Sequence, residues 1–245
     1  MNRRVFLAAA SIVGTSLLAG CGLTSQRFPT YRYRLTVEVD TPEGLRTGSS
    51  VIEVHTVRAG ENAVPLPRGV GVAAQGEAVA VDLPGGKTLF ALLRSETSMD
   101  WASWIMVWLT KVPAHKDGQD QLGVRFDQML ADRDVLELPV HFARGFGSGP
   151  GGTDARPLMV TFGNLADPKS VIKVQSDDLA ASFGQGIQLR RLTVQLTDDP
   201  VTTGIEKRLK WLSKFPESSL DPSHSPTDYS LPATLIQGDF RRPVL

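Results

Sequence analysis

The side chains that could carry chemistry are few and scattered. The four histidines are His55, His115, His141 and His224, and no two of them stand at the spacing of a helical zinc pair. His55 and His141 fall on predicted strands and could meet in space to share a metal with an acid, although solvated or structural histidines are far commoner. Acids cluster as Asp117/Asp120, Asp132/Asp134, Asp177/Asp178 and Asp198/Asp199. Two carboxylates facing each other across a cleft do the general acid and base work of a glycosidase. Nothing in these spacings puts a pair at a cleft, and aspartates in such positions commonly cap helices and form turns. The glycine-rich run from Gly145 to Gly152 is followed by Thr153-Asp154, without the Lys-Ser/Thr of a phosphate loop. Phe146 stands two residues before Ser148, where a nucleophile elbow needs glycine. The run reads as a surface loop.

One cysteine remains, Cys21, at the end of Leu18-Ala19-Gly20-Cys21. Arg3 and Arg4 open the chain, and Val5 to Gly20 carries no charge. A basic start, a short apolar run and small residues before a cut describe an export signal, and the run is shorter than a usual membrane span. The tetrapeptide resembles the lipobox of bacterial lipoproteins. That resemblance implies a diacylglyceryl group on the Cys21 thiol, cleavage that makes Cys21 the new N-terminus, and two or three acyl chains. A single chain binds a membrane only marginally, so several are what give durable attachment. Arg3-Arg4-Val5-Phe6-Leu7 resembles the twin-arginine export motif, with Asn2 and Ala8 where that motif has Ser/Thr and Lys. The alternative is that the arginines only supply charge for the general export route. Gly22 follows the cysteine where the enterobacterial pattern uses Asp for inner-membrane retention, which leans the expected location toward the outer membrane, on the periplasmic side.

Removing residues 1–20 takes two arginines and no acid from 26 basic and 26 acidic side chains, leaving a net charge of −2. That balance gives no electrostatic case for nucleic acid. With its only thiol acylated, the mature chain must be held by packing alone.

Residues 21–30 read as a short lipidated tether, and the body as residues 31–216. Tyr31, Tyr33, Leu35, Val37 and Val39 alternate with Arg32, Arg34, Thr36, Glu38 and Asp40, which predicts a half-buried strand. Thr41-Pro42-Glu43-Gly44 signals a turn, and a second strand is predicted over 49–57 after a longish loop. A connector with Pro65 and Pro67 leads to a hairpin, 77–83 and 87–93, around Pro84-Gly85-Gly86. The period then becomes helical. Trp101, Trp104, Ile105, Trp108 and Leu109 make one apolar face over 98–111, with Thr97 and Asp100 as a capping box. A second helix spans 121–132.

Strands are predicted over 135–142 and 157–162, with a brief ambiguous segment at 170–174. A short helix runs from an Asp177 or Asp178 cap to Phe183, with Gly184 as its stop. The strand 187–196 changes parity at Arg190-Arg191, which predicts a bulge there. Thr203 and Glu206 form a capping box for a helix to Phe215. Residues 217–245 read as a Ser/Pro-rich extension packed on the domain, with 231–240 as an extended edge.

The stretch 200–212, with Phe183-Gly184-Gln185-Gly186 and the opening strand 31–40, resembles a family of uncharacterised alphaproteobacterial proteins, which brings no activity with it. The fold expected is a single α+β domain, an antiparallel sheet of six or more strands with two or three helices on one face. Trp101, Trp104 and Trp108 read as core, with an exposed aromatic patch for a partner or the membrane interface as the alternative. The expected function is a non-enzymatic binding or envelope-assembly lipoprotein, needing no cofactor or metal, meeting the membrane through the lipid on Cys21 and an envelope protein partner through its body. The alternative is a periplasmic hydrolase of cell-wall polymer using paired carboxylates.

Overall fold

The alternation at 31–40 builds the first long strand. In a computed structural model, which describes residues 26–27, 29–58, 70–111, 121–142, 154–214 and 218–243, β1 (Gln26–Arg27) precedes β2 (Tyr31–Thr41), whose odd-numbered residues are buried and whose even-numbered ones face outward. The partner strand β3 (Gly44–Arg58) pairs with β2 antiparallel from Thr41↔Gly44 to Tyr31↔Val54. The connection is therefore the two residues Pro42 and Glu43, tighter than the longish loop expected, and the strand starts at Gly44 rather than 49. Thr41 closes the turn by donating its hydroxyl to the Gly44 carbonyl at 2.7 Å.

The expected single sheet is two sheets. The seven-stranded one contains β1, β2, β3, β4 (Val70–Glu77), β7 (Leu136–Glu137), β10 (Gln188–Leu196) and β11 (Arg241–Arg242), in the order β11-β4-β3-β2-β10-β7 with β1 on β3. The four-stranded one has the order β5 (Val79–Leu83), β6 (Lys87–Ala91), β8 (Met159–Phe162) and β9 (Val171–Val174). The chain passes from one sheet to the other at Gly76, Glu77 and Ala78. Gly76 has φ 141°, and a Cβ there would come within 3.2 Å of the Ile52 backbone, so a left-handed glycine makes the corner.

The two sheets enclose a core of Leu35, Val37, Val39 and Ile52 from the large sheet against Val79, Val81, Leu89 and Met159 from the small one. The reverse face of the small sheet buries Phe90, Val160 and Phe162 against Leu209, Trp211 and Phe240. Ring centroids of Phe90, Phe162, Trp211 and Phe240 lie 5.6–6.4 Å apart, distances at which aromatic edges and faces attract. The inner strands of the small sheet are thus buried on both faces, which is why all four residues of β8 are buried and its sequence reads as one apolar run. The bulge expected at Arg190-Arg191 is present: Leu189 faces Val39 and Arg191 faces Glu38, leaving Arg190 as the extra residue.

Helices cover both core clusters rather than one face. Helix α1 (Trp101–Leu109) lies over the Tyr31/Tyr33 end of β2, with the Tyr33 hydroxyl donating to the Ala102 carbonyl at 2.7 Å. It begins later than expected. Asp100 is its N-cap without a side-chain bond, and the residues before it are held in a turn where Ser95 Oγ accepts from the N–H groups of Thr97 and Ser98. Helix α2 (Gln121–Ala131) buries Phe126 and Met129, and its Arg125 donates to the Val107 and Thr110 carbonyls at 3.2 Å, closing the C-terminus of α1. Helix α3 (Leu179–Phe183) is capped by Asp178, which accepts from Ala181 N, and stops at Gly184 with φ 111°.

The helix expected over 203–215 is instead two 3-10 turns, Ile205–Lys207 and Leu212–Lys214. The local capping box does not form, and Gly204 is the N-cap of the first turn. The buried Glu77 carboxylate accepts from Gly204 N at 2.9 Å and Ile205 N at 2.8 Å, and Gly204 turns left-handed at φ 118° to present them. Glu77→Ala would remove the charged acceptor from one buried and one half-buried donor, and we expect a loss of about 2 kcal/mol. Urea denaturation with an unchanged m-value is the check.

The extension beyond 217 differs from the extended edge expected at 231–240. It forms α4 (Leu231–Thr234) and α5 (Gln237–Phe240), and the edge strand is β11, paired to Glu77 and Gly76. Leu220, Leu235 and Phe240 are buried in the second cluster.

Candidate functional site

Where β1 and β2 begin, the antiparallel register brings four polar side chains onto the outward face. Arg32 stands opposite Glu53, and Thr30 lies beside His55. Because alternate residues share a face, Thr30 and Arg32 on one strand meet Glu53 and His55 on the other. They form a continuous chain. Thr30 Oγ1 is 3.1 Å from His55 Nδ1, His55 Nε2 is 3.0 Å from Glu53 Oε1, and Arg32 Nε donates to Glu53 Oε2 at 2.6 Å. The Glu53 side chain is only 11% exposed, so two polar neighbours compensate a carboxylate largely withdrawn from water. A hydroxyl, an imidazole and a carboxylate in this order can relay a proton.

A cavity of about 490 Å³ opens beside the chain, lined by Thr30, Arg32 and Glu53, by Leu130 and Arg133 from the end of α2, and by Leu196 and Asp198 at the end of β10. Arg133 Nη1 is 3.8 Å from Asp198. Asp198 itself is 95% exposed, so this pair holds the guanidinium weakly. The neighbouring Asp199 accepts from Thr197 and Arg34, and these bonds hold its carboxyl below the usual range. The site thus joins cations, a relay and an apolar wall at one end of the large sheet.

The residues singled out by sequence fall elsewhere or are otherwise engaged. Trp101 is removed from the candidate partner surface: it is fully buried, and its Nε1 donates to the Ala155 carbonyl at 3.1 Å. Trp104 and Trp108 are half-buried against the first core cluster, and Trp108 meets Phe142 edge-on at 5.8 Å. His55 and His141 each have their own carboxylate, His141 lying 3.4 Å from Asp154. His224 is taken up by Asp221 O and Ser219 Oγ. Asp132 accepts from Asp134 N in a turn, and Asp178 is a helix cap. Among the described residues no group of three or more His, Cys, Asp or Glu could hold a metal ion.

Residues 1–25, with Arg3, Arg4 and Cys21, lie outside the described residues, as do His115, the Asp117/Asp120 pair, Pro65, Pro67 and the glycine run 145–152. Arg32, Glu53 and Arg133 were not singled out by sequence, although the alternation of β2 already put Arg32 on the outward face. Compared with known proteins, the chain matches no family model, no curated protein and no solved structure.

Proposed function

We propose that this chain is a lipid-anchored protein of the bacterial envelope, on the periplasmic side and at the outer membrane, whose folded body binds or assembles rather than catalyses. The observation that carries this reading is Leu18-Ala19-Gly20-Cys21 closing an uncharged run after Arg3-Arg4, with β1 starting only five residues after the cysteine. Among the described residues no helix is long and apolar enough to cross a membrane; the attachment in this reading is the thioether-linked lipid on Cys21.

The hydrolase alternative needs two carboxylates free to face a substrate. Asp132, Asp178 and Asp199 are each already bonded in turns, caps or ion pairs, which favours the binding role.

The test is fractionation of the native producer together with mass spectrometry of the purified N-terminus. We expect a cleaved chain starting at acylated Cys21 in the membrane fraction. A Cys21→Ser variant should lose that acyl mass and the processed N-terminus. An unmodified chain beginning at Met1 would overturn the reading.

A further inference from the structure

The cavity beside Arg32 and Arg133 has a place relative to the anchor. If Cys21 carries the lipid, as proposed above, Gln26 of β1 lies five positions further along the chain. A fully extended chain of that length spans about 18 Å, so the β1 end of the body stays close to the bilayer surface. Thr30 and Arg32 of the cavity follow within a few residues of β1.

Two features of the lining suit a phosphate that carries an apolar neighbour. Arg32 spends only its Nε on Glu53, and among the described residues no acceptor meets its two Nη groups. Arg133 is 59% exposed, and among the described residues its one counter-charge is Asp198, 3.8 Å away. Planar guanidiniums with unspent N–H groups recognise phosphate in a fork. Leu130 and Leu196 supply the apolar wall. Two acids also line the cavity: Glu53 is held by Arg32 and His55, and Asp198 is 95% exposed and 3.8 Å from Arg133, so it can turn out into solvent when an anion takes its place.

We propose that this cavity takes the phosphodiester headgroup of an anionic glycerophospholipid, with Arg133 and the Nη groups of Arg32 on the phosphate and Leu130 and Leu196 against the glycerol and upper acyl carbons. The body would then touch the membrane at a second point besides its anchor.

The test uses the chain from residue 22, which cannot be acylated at Cys21 and whose core residues all lie between Tyr31 and Phe240. It is mixed with vesicles of phosphatidylcholine alone and of equal parts phosphatidylcholine and phosphatidylglycerol, and sedimented. We expect binding to the second and not the first, weakened by added salt as the Debye length shrinks from about 10 Å at 0.1 M. Arg133→Ala should weaken binding about five- to tenfold, the usual effect of one basic side chain at an anionic surface. Arg32→Lys keeps the charge but loses the fork, and should weaken it by less. Arg46→Ala, at the far hairpin end, should leave it unchanged, and thermal melting checks that each variant folds.

Equal binding to both vesicle types, or equal losses from Arg133→Ala and Arg46→Ala, would overturn the proposal. Saturable binding of inorganic phosphate that depends on Arg133, without vesicle binding, would assign the site to a free phosphate and overturn the lipid assignment. None of these outcomes depends on Cys21, so failure here is distinct from failure of the anchor.

Discussion

Trp101→Ala is expected to destabilise the fold by about 3–5 kcal/mol, the usual cost of deleting a buried tryptophan. Trp101 is fully buried, and it stands at the start of α1 where that helix meets the β2 end of the core. Its indole Nε1 also ties the helix to Ala155, across a sequence separation of 54 residues. Truncation removes the ring, opens a cavity and orphans the Ala155 carbonyl together. Trp101→Phe separates these terms. It keeps most of the packing and loses the hydrogen bond, so a cost of about 1–2 kcal/mol is expected from the unmet acceptor and the smaller ring. Trp104→Ala and Trp108→Ala should cost less, since both rings are only half-buried. Urea midpoints of the four variants give the order directly. Equal losses at all three positions would show that the helix buries its tryptophans uniformly, contrary to the burial described.

That ordering also shows what the sequence could and could not say. Helical spacing put all three tryptophans on one apolar face, and spacing alone cannot rank depth within a face. Trp101 went deepest because the chain enters the helix from Leu93 and Arg94, whose backbone is bonded to Ala102 and Leu158. Local signals were legible where a residue and its near neighbours decide the outcome. The alternation of β2, the bulge at Arg190 and the Asp178 cap of α3 all belong to that kind. The local pattern at 203–215 does not show that Glu77, 127 residues from Gly204, would take the N–H groups of Gly204 and Ile205 and set where the first turn begins.

The candidate site was hidden for a related reason. Reading Thr41-Pro42-Glu43-Gly44 as a two-residue hairpin loop would have placed Arg32 opposite Glu53 and Thr30 beside His55. A longer loop leaves the register open, and with it the polar chain. Arg133 could not be reached from register at all, since it comes from the end of a helix that packs against the strand.

Gly48→Ala is expected to cost about 3 kcal/mol, at the upper end of overpacking effects. Gly48 is opposite Val37, whose side chain is fully buried, so the missing side chain of Gly48 points toward the second sheet. A Cβ there would sit 2.3 Å from the Ala80 carbonyl oxygen and 2.9 Å from Val81 Cγ2. The first obstacle is backbone, so no rotamer change relieves it; β5 must move away from β3. Moving it would loosen Val79 and Val81, which fill the space between the sheets.

Gly44→Ala is the fitting comparison. Gly44 has φ 111° but nothing within 4 Å of its added Cβ, so that variant pays conformational strain without a clash. We expect about 1 kcal/mol there. If Gly44→Ala proved the costlier of the two in urea denaturation, close approach of the sheets at Gly48 would not be what the glycine serves. If Gly48→Ala is the costlier, Gly48 and Ser50 on the inner face of a long strand have their explanation: small residues there mark where one sheet lies directly on the other, and the layering that carries the β1 end of the body depends on them.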